Sequence, residues 1–576
     1  MNVKKNTQLW LKYFPALTSG LFLALSFPDA NISCLAFIAL TPLLVSIQSM
    51  TDKESFYAGF ITGMSYFLTL IYWIVPTIHV YGGLNIILAS CVLILLCLYL
   101  ALYPAIFTFA LKKFDQTINS YYIPILAALL WVGLEYIRTY AFTGFSWGAL
   151  GYSQFRNINL IQISDLTGVY GVSFLIVLVN ASLALFWINY RHVADLDSHD
   201  TINLRPHKKN KTNNNLFLHI KSKKQYIIPA FYTILLVGSA YVYGGRQINL
   251  IDSQIKKAQK TKITIIQGNI KQDLKWSDEF KLKTVEKYIQ LSKSQIKNQP
   301  DLVIWPETAL PFYYGLEQVL SNQVNQCIQL SKTNFLVGSP AFEQDGKNIK
   351  FYNRTYMLDK FANIKGIWDK HHLIPFGEYV PFGNYLNFLG KITAQAGNFS
   401  PGEQSFIPLE FNANTLEETL DLQVSPNQKN APDLKVTRKT GVLICFEILF
   451  PSIASEFVKN GADLLTTITN DAWFGYSSAA MQHFSIAVFR AVENHRTMAR
   501  AANTGISGFI DPKGKITTTT PLFTDKAVTS QVSVLTSISF YTKYGDVFAM
   551  GSILAILAIY MVFVLKRVKN HPHRRK

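Results

Sequence analysis

The sequence has little cysteine and little charge. Cysteine accounts for 5 of its 576 residues, and charged residues account for 16%. The cysteines follow neither a CxxC spacing nor a dense framework, so they predict neither a zinc site nor a disulfide-stabilised fold. The pair His371-His372 does not predict a metal site, because adjacent side chains diverge and no HxH or HxxxH spacing surrounds it. We therefore expect no metal and no cofactor.

Acidic residues are the scarcer of the two charged classes. The chain has 36 Asp and Glu against 54 Lys and Arg, which gives a formal net charge of +18. Such an excess can indicate a nucleic-acid partner. No RNA- or DNA-reading motif is present, however, and the basic residues cluster beside hydrophobic runs. Nucleic acid is therefore excluded as the expected partner.

Long hydrophobic runs are abundant, and they are unevenly spread. Hydrophobic residues make up 49% of the chain, and a run of about 20 of them can cross a bilayer as a helix. Eight such spans are predicted, near 13–28, 32–50, 56–75, 84–108, 121–139, 168–188, 226–244 and 545–565. The sequence thus predicts a polytopic α-helical membrane domain over 1–245 with seven spans, a soluble domain over 246–540, and an eighth span with a basic tail over 541–576.

Lysine and arginine fall on one side of these spans, and the positive-inside rule makes that side cytoplasmic. The short loops 29–31 and 76–83 on the opposite side contain neither residue. The basic positions are Lys4, Lys5, Lys12, Lys112, Lys113, the loop 189–225 and the tail from Lys566. We expect both termini in the cytoplasm and the soluble domain in the periplasm, at a bacterial inner membrane. What the loop 189–225 binds stays open.

A candidate nucleophile lies in the soluble domain, whose alternating strand and helix patterns predict an α/β layered fold. The apolar run Gly441–Ile444 delivers Cys445 to a predicted strand end, and Pro451 opens a predicted helix. A strand, a sharp turn with a nucleophile and a helix expose a reactive side chain at a sheet edge. The alternatives are that Cys445 is a small core residue or, in an exported domain, that it pairs with Cys327.

Three further stretches place polar side chains at predicted strand ends, where sites assemble in α/β sheets. The first is Trp305-Pro306-Glu307, and the second is Lys370-His371-His372-Leu373-Ile374-Pro375-Phe376-Gly377-Glu378-Tyr379-Val380-Pro381. The third is Asn470-Asp471-Ala472-Trp473-Phe474-Gly475. Separately, each could be a surface ion pair, a turn or a helix cap.

Together with Cys445-Phe446-Glu447, these motifs resemble the carbon–nitrogen hydrolase, or nitrilase, superfamily. The eight spans and the segments Gln267-Gly268-Asn269 and Lys275-Trp276 are similar to its apolipoprotein N-acyltransferase family. The resemblance implies an α-β-β-α sandwich with a Glu-Lys-Cys triad. One departure is the polar connection 403–440, which is longer than is usual and is either a hairpin arm or a disordered excursion.

The resemblance also implies a role for each motif residue. Cys445 is the nucleophile, Glu307 the proton acceptor, and Lys370 the charge that stabilises the oxyanion. Three residues are expected to support them: Glu378, Glu447 and Phe446. Four aromatic residues are expected to face the lipid: Trp276, Phe145, Trp147 and Trp473. The glycine-rich loop 140–156 that carries two of them is also typical of an interfacial aromatic belt.

The implied reaction transfers an acyl chain from a phospholipid, expected to be phosphatidylethanolamine, to the α-amine of a diacylglyceryl apolipoprotein, and the enzyme is expected to be a monomer. A rival is a membrane-tethered nitrilase-type amidase or another acyltransferase with the same triad. A transporter or a catalytically dead binding module is disfavoured, because all three triad residue types are present in order. The spans also carry few charges, Glu135 and Arg138 among them.

Overall fold

The protein consists of apolar helices packed against a two-sheet α/β domain. The structure, a computed structural model, describes residues 2–115, 118–202, 212–273, 275–346, 348–379, 398–414 and 435–570. Outside these ranges lie parts of four predicted features: the end of the Lys370–Pro381 motif, residues 415–434 of the polar connection, residues 203–211 of the basic loop and residues 571–576 of the tail.

Most of the apolar half is helical. Its helices are Asn2–Leu25, Thr41–Ser46, Asp52–Leu70, Ile74–Pro76, Ile86–Asp115, Ile123–Tyr140, Ile158–Ile161, Ser164–Thr167, Val169–Ile202, Thr212–Lys257 and, after the α/β domain, Val547–Asn570. Asp52–Leu70 begins with a capping box, in which Thr51 and Glu54 each satisfy a backbone N–H of the first turn.

Four helical segments in the described residues are long and apolar enough to cross a membrane: Ile86–Asp115, Ser120–Tyr140, Val169–Arg191 and Gln225–Lys257. A fifth results if Asp52–Leu70 and Ile74–Tyr81, bent by 57°, form one broken span. Apolar segments at Ser33–Ser49 and Val547–Val562 are shorter. A membrane domain is therefore supported, whereas the prediction of eight spans is not confirmed.

The α/β domain contains two six-stranded mixed sheets. The first has the order β12-β1-β2-β3-β4-β5 and the second β11-β10-β9-β8-β7-β6. The strands are β1 Lys260–Gln267, β2 Leu302–Ile304, β3 Asn334–Asp345, β4 Asn348–Leu358, β5 Ile364–Asp369, β6 Leu409–Asn414, β7 Lys435–Ile444, β8 Leu464–Thr469, β9 Met498–Ala502, β10 Gly508–Ile510, β11 Ile516–Thr519 and β12 Lys526–Ser533.

Helices cover both outer faces of the paired sheets, which gives four layers. Asp278–Lys293 and Gln318–Ser331 cover the first sheet, where Val285 and Val324 share an apolar cluster with Trp305. Pro451–Lys459 and Ala479–Asn494 belong to the second sheet, where Phe457 packs against Gly441 of β7. The α-β-β-α arrangement expected from the motifs is therefore the arrangement of the described residues.

The apolar pattern of residues 478–501 predicts one long helix, and this prediction is wrong at its carboxyl end. The helix ends at Asn494, His495 takes a left-handed conformation with φ of 51°, and β9 begins at Met498. A left-handed residue stops a helix, and histidine can fill a position that usually belongs to glycine. The apolar pattern therefore continues while the backbone changes from helix to strand.

Candidate active site

The motif residues gather where strands of both sheets end. Glu307 follows β2, Lys370 follows β5, Cys445 follows β7 and Asn470 follows β8. Because β7 and β8 are parallel neighbours, Cys445 and Asn470 lie at the same edge of the second sheet. Because the two sheets face each other, residues 138 positions apart, such as Glu307 and Cys445, become neighbours.

Lys370 is the buried positive charge of this cluster. Its Nζ donates to Oε1 of Glu378 at 2.9 Å and lies 3.5 Å from Oε1 of Glu307. Burial alone would lower the pKa of Lys370, but the carboxylates of Glu378 and Glu307 outweigh it and raise the pKa above its ordinary value. The ammonium group therefore stays charged at neutral pH.

Asn353, on β4, joins the two carboxylates. Its Nδ2 donates to Oε1 of Glu307 at 2.7 Å and to Oε1 of Glu378 at 3.2 Å. The other oxygen of Glu307 accepts from the backbone N–H of Asn470 at 2.9 Å, and that of Glu378 accepts from the N–H of Ile374 at 2.8 Å. Both carboxylates are thereby held in fixed orientations around the lysine.

Cys445 has a strained backbone conformation and is almost completely buried. Its φ is 51°, in the left-handed region that non-glycine residues rarely adopt, and it is 8% exposed. Burial and the negative charge of Glu307 raise the pKa of the thiol, and Lys370 offsets this only in part. The resting group is thus a thiol, and the nucleophile requires transfer of its proton as it reacts.

Glu447 links the turn that carries Cys445, called the nucleophile turn, to the loop that begins at Lys370. Its Oε2 accepts from the N–H of Ile444 at 2.8 Å, and its Oε1 accepts from the N–H groups of His371 at 2.7 Å and His372 at 3.2 Å. Burial raises the pKa of Glu447, while these donors lower it. Phe446 lies at the rim beside His372, with 5.9 Å between ring centroids.

The four aromatic residues expected to face lipid do not share one environment. Trp276 is 37% exposed, Phe145 is half-buried, and the half-buried Trp473 lies 5.8 Å from the ring of Tyr81. Trp147 differs, since it is 3% exposed and packs against the α/β domain. Its predicted place on the lipid-facing rim is corrected to the interior of the domain interface.

The sequence predicts no metal site and leaves open a disulfide between Cys327 and Cys445. Within the ranges that the structure describes, no group of three or more His, Cys, Asp or Glu could hold a metal ion. Cys327 and Cys445 are both free thiols, and Cys327 lies in the apolar cluster outside the first sheet. Cys327 is therefore a core residue and does not pair with Cys445.

Two facing sheets with helices on both outer faces and a buried Glu-Lys-Cys group are the arrangement of a nitrilase-like carbon–nitrogen hydrolase fold. Residues 262–538 match the carbon-nitrogen hydrolase family, so this part of the chain has the fold of that family. Residues 19–182 match the apolipoprotein N-acyltransferase N-terminal domain. The α/β part and the membrane part of the chain thus match two different families.

Whole-chain comparisons join the two parts. An apolipoprotein N-acyltransferase from Geobacter metallireducens is 38% identical over 97% of this chain and 96% of its own. Enzymes of the same name from Pasteurella multocida and Shewanella oneidensis are each 28% identical, covering 96% and 93% of this chain and 96% and 92% of their own. The chain therefore belongs to the apolipoprotein N-acyltransferase family.

Proposed function

We propose that Cys445 accepts a fatty acyl chain from a membrane phospholipid and passes it to the α-amine of a diacylglyceryl-cysteine at a lipoprotein N-terminus. The protein is an acyltransferase of lipoprotein maturation, as its family membership states. The observation that carries the mechanism is the buried ammonium of Lys370, held by two carboxylates beside the thiol.

In the first half-reaction, the sulfur of Cys445 attacks the acyl ester carbonyl while Glu307 accepts the thiol proton. The oxyanion that forms is stabilised by the charge of Lys370. Collapse of the tetrahedral intermediate breaks the ester C–O bond, and Glu307 returns the proton to the departing glycerol oxygen. The products are a thioester on Cys445 and a lysophospholipid.

In the second half-reaction, the lipoprotein amine attacks the thioester carbonyl. Glu307 accepts a proton from the amine, an amide bond forms and the C–S bond breaks, and Glu307 then returns the proton to sulfur to restore the thiol of Cys445. Glu378, through its 2.9 Å contact, keeps Lys370 directed at the reacting carbonyl. The lipoprotein amine must outcompete water for the thioester, so the site must be apolar and must exclude solvent.

The membrane helices supply this environment and the substrates. An acyl chain gains about 0.8 kcal/mol per buried methylene in a bilayer, so both substrates reach the site by lateral diffusion within the membrane. We assign the enzyme to the bacterial inner membrane, with both termini cytoplasmic, the 246–540 domain periplasmic and the chain monomeric. Trp276, Phe145 and Trp473 line the proposed lipid entrance, and phosphatidylethanolamine is the proposed donor.

Intact mass measurement tests the proposal. Purified protein incubated with phosphatidylethanolamine should gain one acyl mass, which a diacylglyceryl-cysteine peptide then removes. The Cys445→Ser variant should gain no hydroxylamine-sensitive acyl mass. Wild-type protein without an adduct would overturn the mechanism, and discharge to water but never to the peptide would favour the amidase.

A further inference from the structure

The helix Ala479–Asn494 lies between the second sheet and the membrane helices. Every residue in it except Met481 is buried, although it carries Gln482, His483, Arg490 and Glu493. Such polar groups are tolerated inside a protein only when they are hydrogen-bonded. Their partners lie on both sides of the helix, in the membrane domain and in the nucleophile turn.

His483 contacts the nucleophile residue directly. Its Nε2 lies 3.2 Å from the carbonyl oxygen of Cys445. A carbonyl oxygen can only accept a hydrogen bond. Nε2 therefore carries a proton, and the Nε2–H group is the donor. The ring's Nδ1 lies 3.1 Å from Asp471 Oδ1 and 3.0 Å from Nη2 of Arg500, which fixes the plane of the imidazole.

Asp471 and Arg500 form a buried ion pair at the Nδ1 edge of this ring. Arg500 Nη2 lies 2.5 Å from Oδ2 of Asp471, and both side chains are inaccessible to solvent. Burial would raise the pKa of Asp471, but Arg500 and His483 hold it below its ordinary value. The histidine is therefore supported by a carboxylate that stays ionised.

One face of the His483 ring is covered by Trp147 of the membrane domain. Trp147 stacks on it, with 5.5 Å between centroids and 21° between planes. The indole N–H of Trp147 donates to Gln482 at 2.7 Å, and that of Trp73 donates to the same oxygen at 3.2 Å. Arg138 donates to the carbonyl of Trp147 at 3.2 Å. A continuous contact path thus runs from the membrane helices to the carbonyl of Cys445.

A left-handed cysteine needs such support. This conformation is unfavourable for a non-glycine residue, so the turn relaxes unless its surroundings hold it. The carbonyl of Cys445 and the N–H of Phe446 share one planar peptide. Holding the carbonyl therefore fixes the peptide plane next to the nucleophile, and with it the direction of the Cα–Cβ bond.

We propose that His483 is a positioning residue, which holds the peptide of Cys445 in its reactive orientation and itself depends on stacking against Trp147 of the membrane domain. The inference rests on the proposed role of Cys445 as nucleophile. It adds a reason for the membrane domain beyond substrate delivery, namely that this domain completes the geometry of the nucleophile.

The test uses two amide substitutions of matched chemistry, in full-length protein. In His483→Gln, the amide nitrogen reaches the place of Nε2 and can donate to Cys445. In His483→Asn, the shorter side chain reaches only the place of Nδ1. His483→Phe is a third variant, which keeps the ring stack on Trp147 but has no donor, so that the comparison survives if one variant does not fold.

Two rates are measured on each folded variant: acylation of Cys445 by phosphatidylethanolamine, and alkylation of Cys445 by iodoacetamide. We expect both rates to fall about 10- to 100-fold in His483→Asn and His483→Phe, since a small misplacement of a reacting group has this effect. His483→Gln should stay within a few-fold of wild type. The apparent KM for phospholipid should be unchanged in all three.

Several outcomes would overturn the inference. Folded Asn and Phe variants with wild-type rates would exclude a positioning role, and a Gln variant as slow as Asn would exclude the hydrogen bond as its basis. Slowing with phospholipid alone would place His483 in lipid binding instead. Because alkylation does not require acyl transfer, wild-type protein that is alkylated but never acylated would refute the proposed function separately.

Discussion

At the scale of single residues, one unusual feature outside the triad is a second buried lysine, which donates to neutral oxygens. Lys275 is fully buried, and its Nζ donates to Oγ1 of Thr308 at 2.6 Å and to the carbonyl of Glu307 at 3.3 Å. Burial lowers the pKa of Lys275 to about 7, and the charge of Glu307 offsets this only in part. The lysine thus holds the turn beside the proton acceptor at a cost in stability.

This cost predicts a pH-dependent gain for Lys275→Met. In the unfolded chain a lysine has a pKa of about 10.4, so between pH 7 and 10 the unfolded state binds more protons than the folded state. The free energy of unfolding of the wild type therefore rises across this window, by up to about 1.4 kcal/mol per pH unit. Well below pH 7, Lys275 is protonated in both states, so the free-energy cost of burying its charge no longer changes with pH.

The variant lacks this titration, so its advantage over wild type should be largest at or below pH 7 and should shrink towards pH 10. Equilibrium unfolding in detergent at pH 6, 7, 8 and 9 measures the difference. Lys283→Met is the control, because the Lys283 side chain is 62% exposed and its replacement should give a pH-independent difference. A constant difference for Lys275→Met from pH 7 to 9 would contradict the prediction.

Residues of the candidate site that stand in motifs are predictable from the sequence, and those outside motifs are not. Glu307 and Cys445 each follow an apolar run, Lys370 follows a predicted strand, and the structure brings the three together. Asn353 is a single amide within a β-strand, and nothing in its neighbourhood marks it before the two carboxylates are seen around it. Trp147 was misplaced, because composition shows an aromatic segment but not which domain covers it.

At the scale of elements, most strands and helices were predictable because each combines an apolar period with a turn signal. Pro451, for example, opens a helix as expected. The short strands β6 and β11 and the transition from helix to β9 were missed. Their pairing partners are distant in the chain, and β propensity depends mainly on such tertiary context.

The long polar connection between β6 and β7 gives a prediction at this scale. Leu409–Asn414 pairs antiparallel with Lys435–Ile444, up to the terminal pair of Asn414 and Lys435. Replacing residues 415–434 by Asn-Gly would close this ladder with a two-residue turn that suits antiparallel strands. Because pairing and the site both lie outside the deleted stretch, we expect the variant to keep the wild-type melting temperature within a few degrees.

Its acylation rate should also stay within about threefold of wild type, since a shorter loop changes closure entropy only slightly. Mass measurement of the acyl adduct over time provides the rate. A Gly-Ser replacement of equal length is the matched control, as it changes the composition but not the loop length. A folded deletion variant that acylates more than tenfold slower would instead assign 415–434 to the rim of the site.

At the scale of the whole molecule, division into membrane and α/β parts follows from hydropathy, but their mutual packing does not. Hydropathy describes single segments, whereas the interface includes polar contacts between residues that are distant in the chain. Glu493, for example, accepts from the N–H of Val169, and Ser146 donates to the carbonyl of Leu449. The prediction of eight spans is not confirmed by the described residues, since Ser33–Ser49 and Val547–Val562 are apolar but shorter than a typical span.

The orientation of the molecule in the membrane is the remaining prediction. Basic residues beside the spans place the loop 189–225 in the cytoplasm, which puts the α/β domain on the opposite side. In a background with Cys34 and Cys91, both exposed, replaced by alanine, Lys283→Cys should react with a membrane-impermeant maleimide once the outer membrane is opened. Lys208→Cys should react only after detergent is added. Labelling of Lys208→Cys in intact spheroplasts would reverse the assigned orientation, and with it the leaflet from which Cys445 draws its acyl donor.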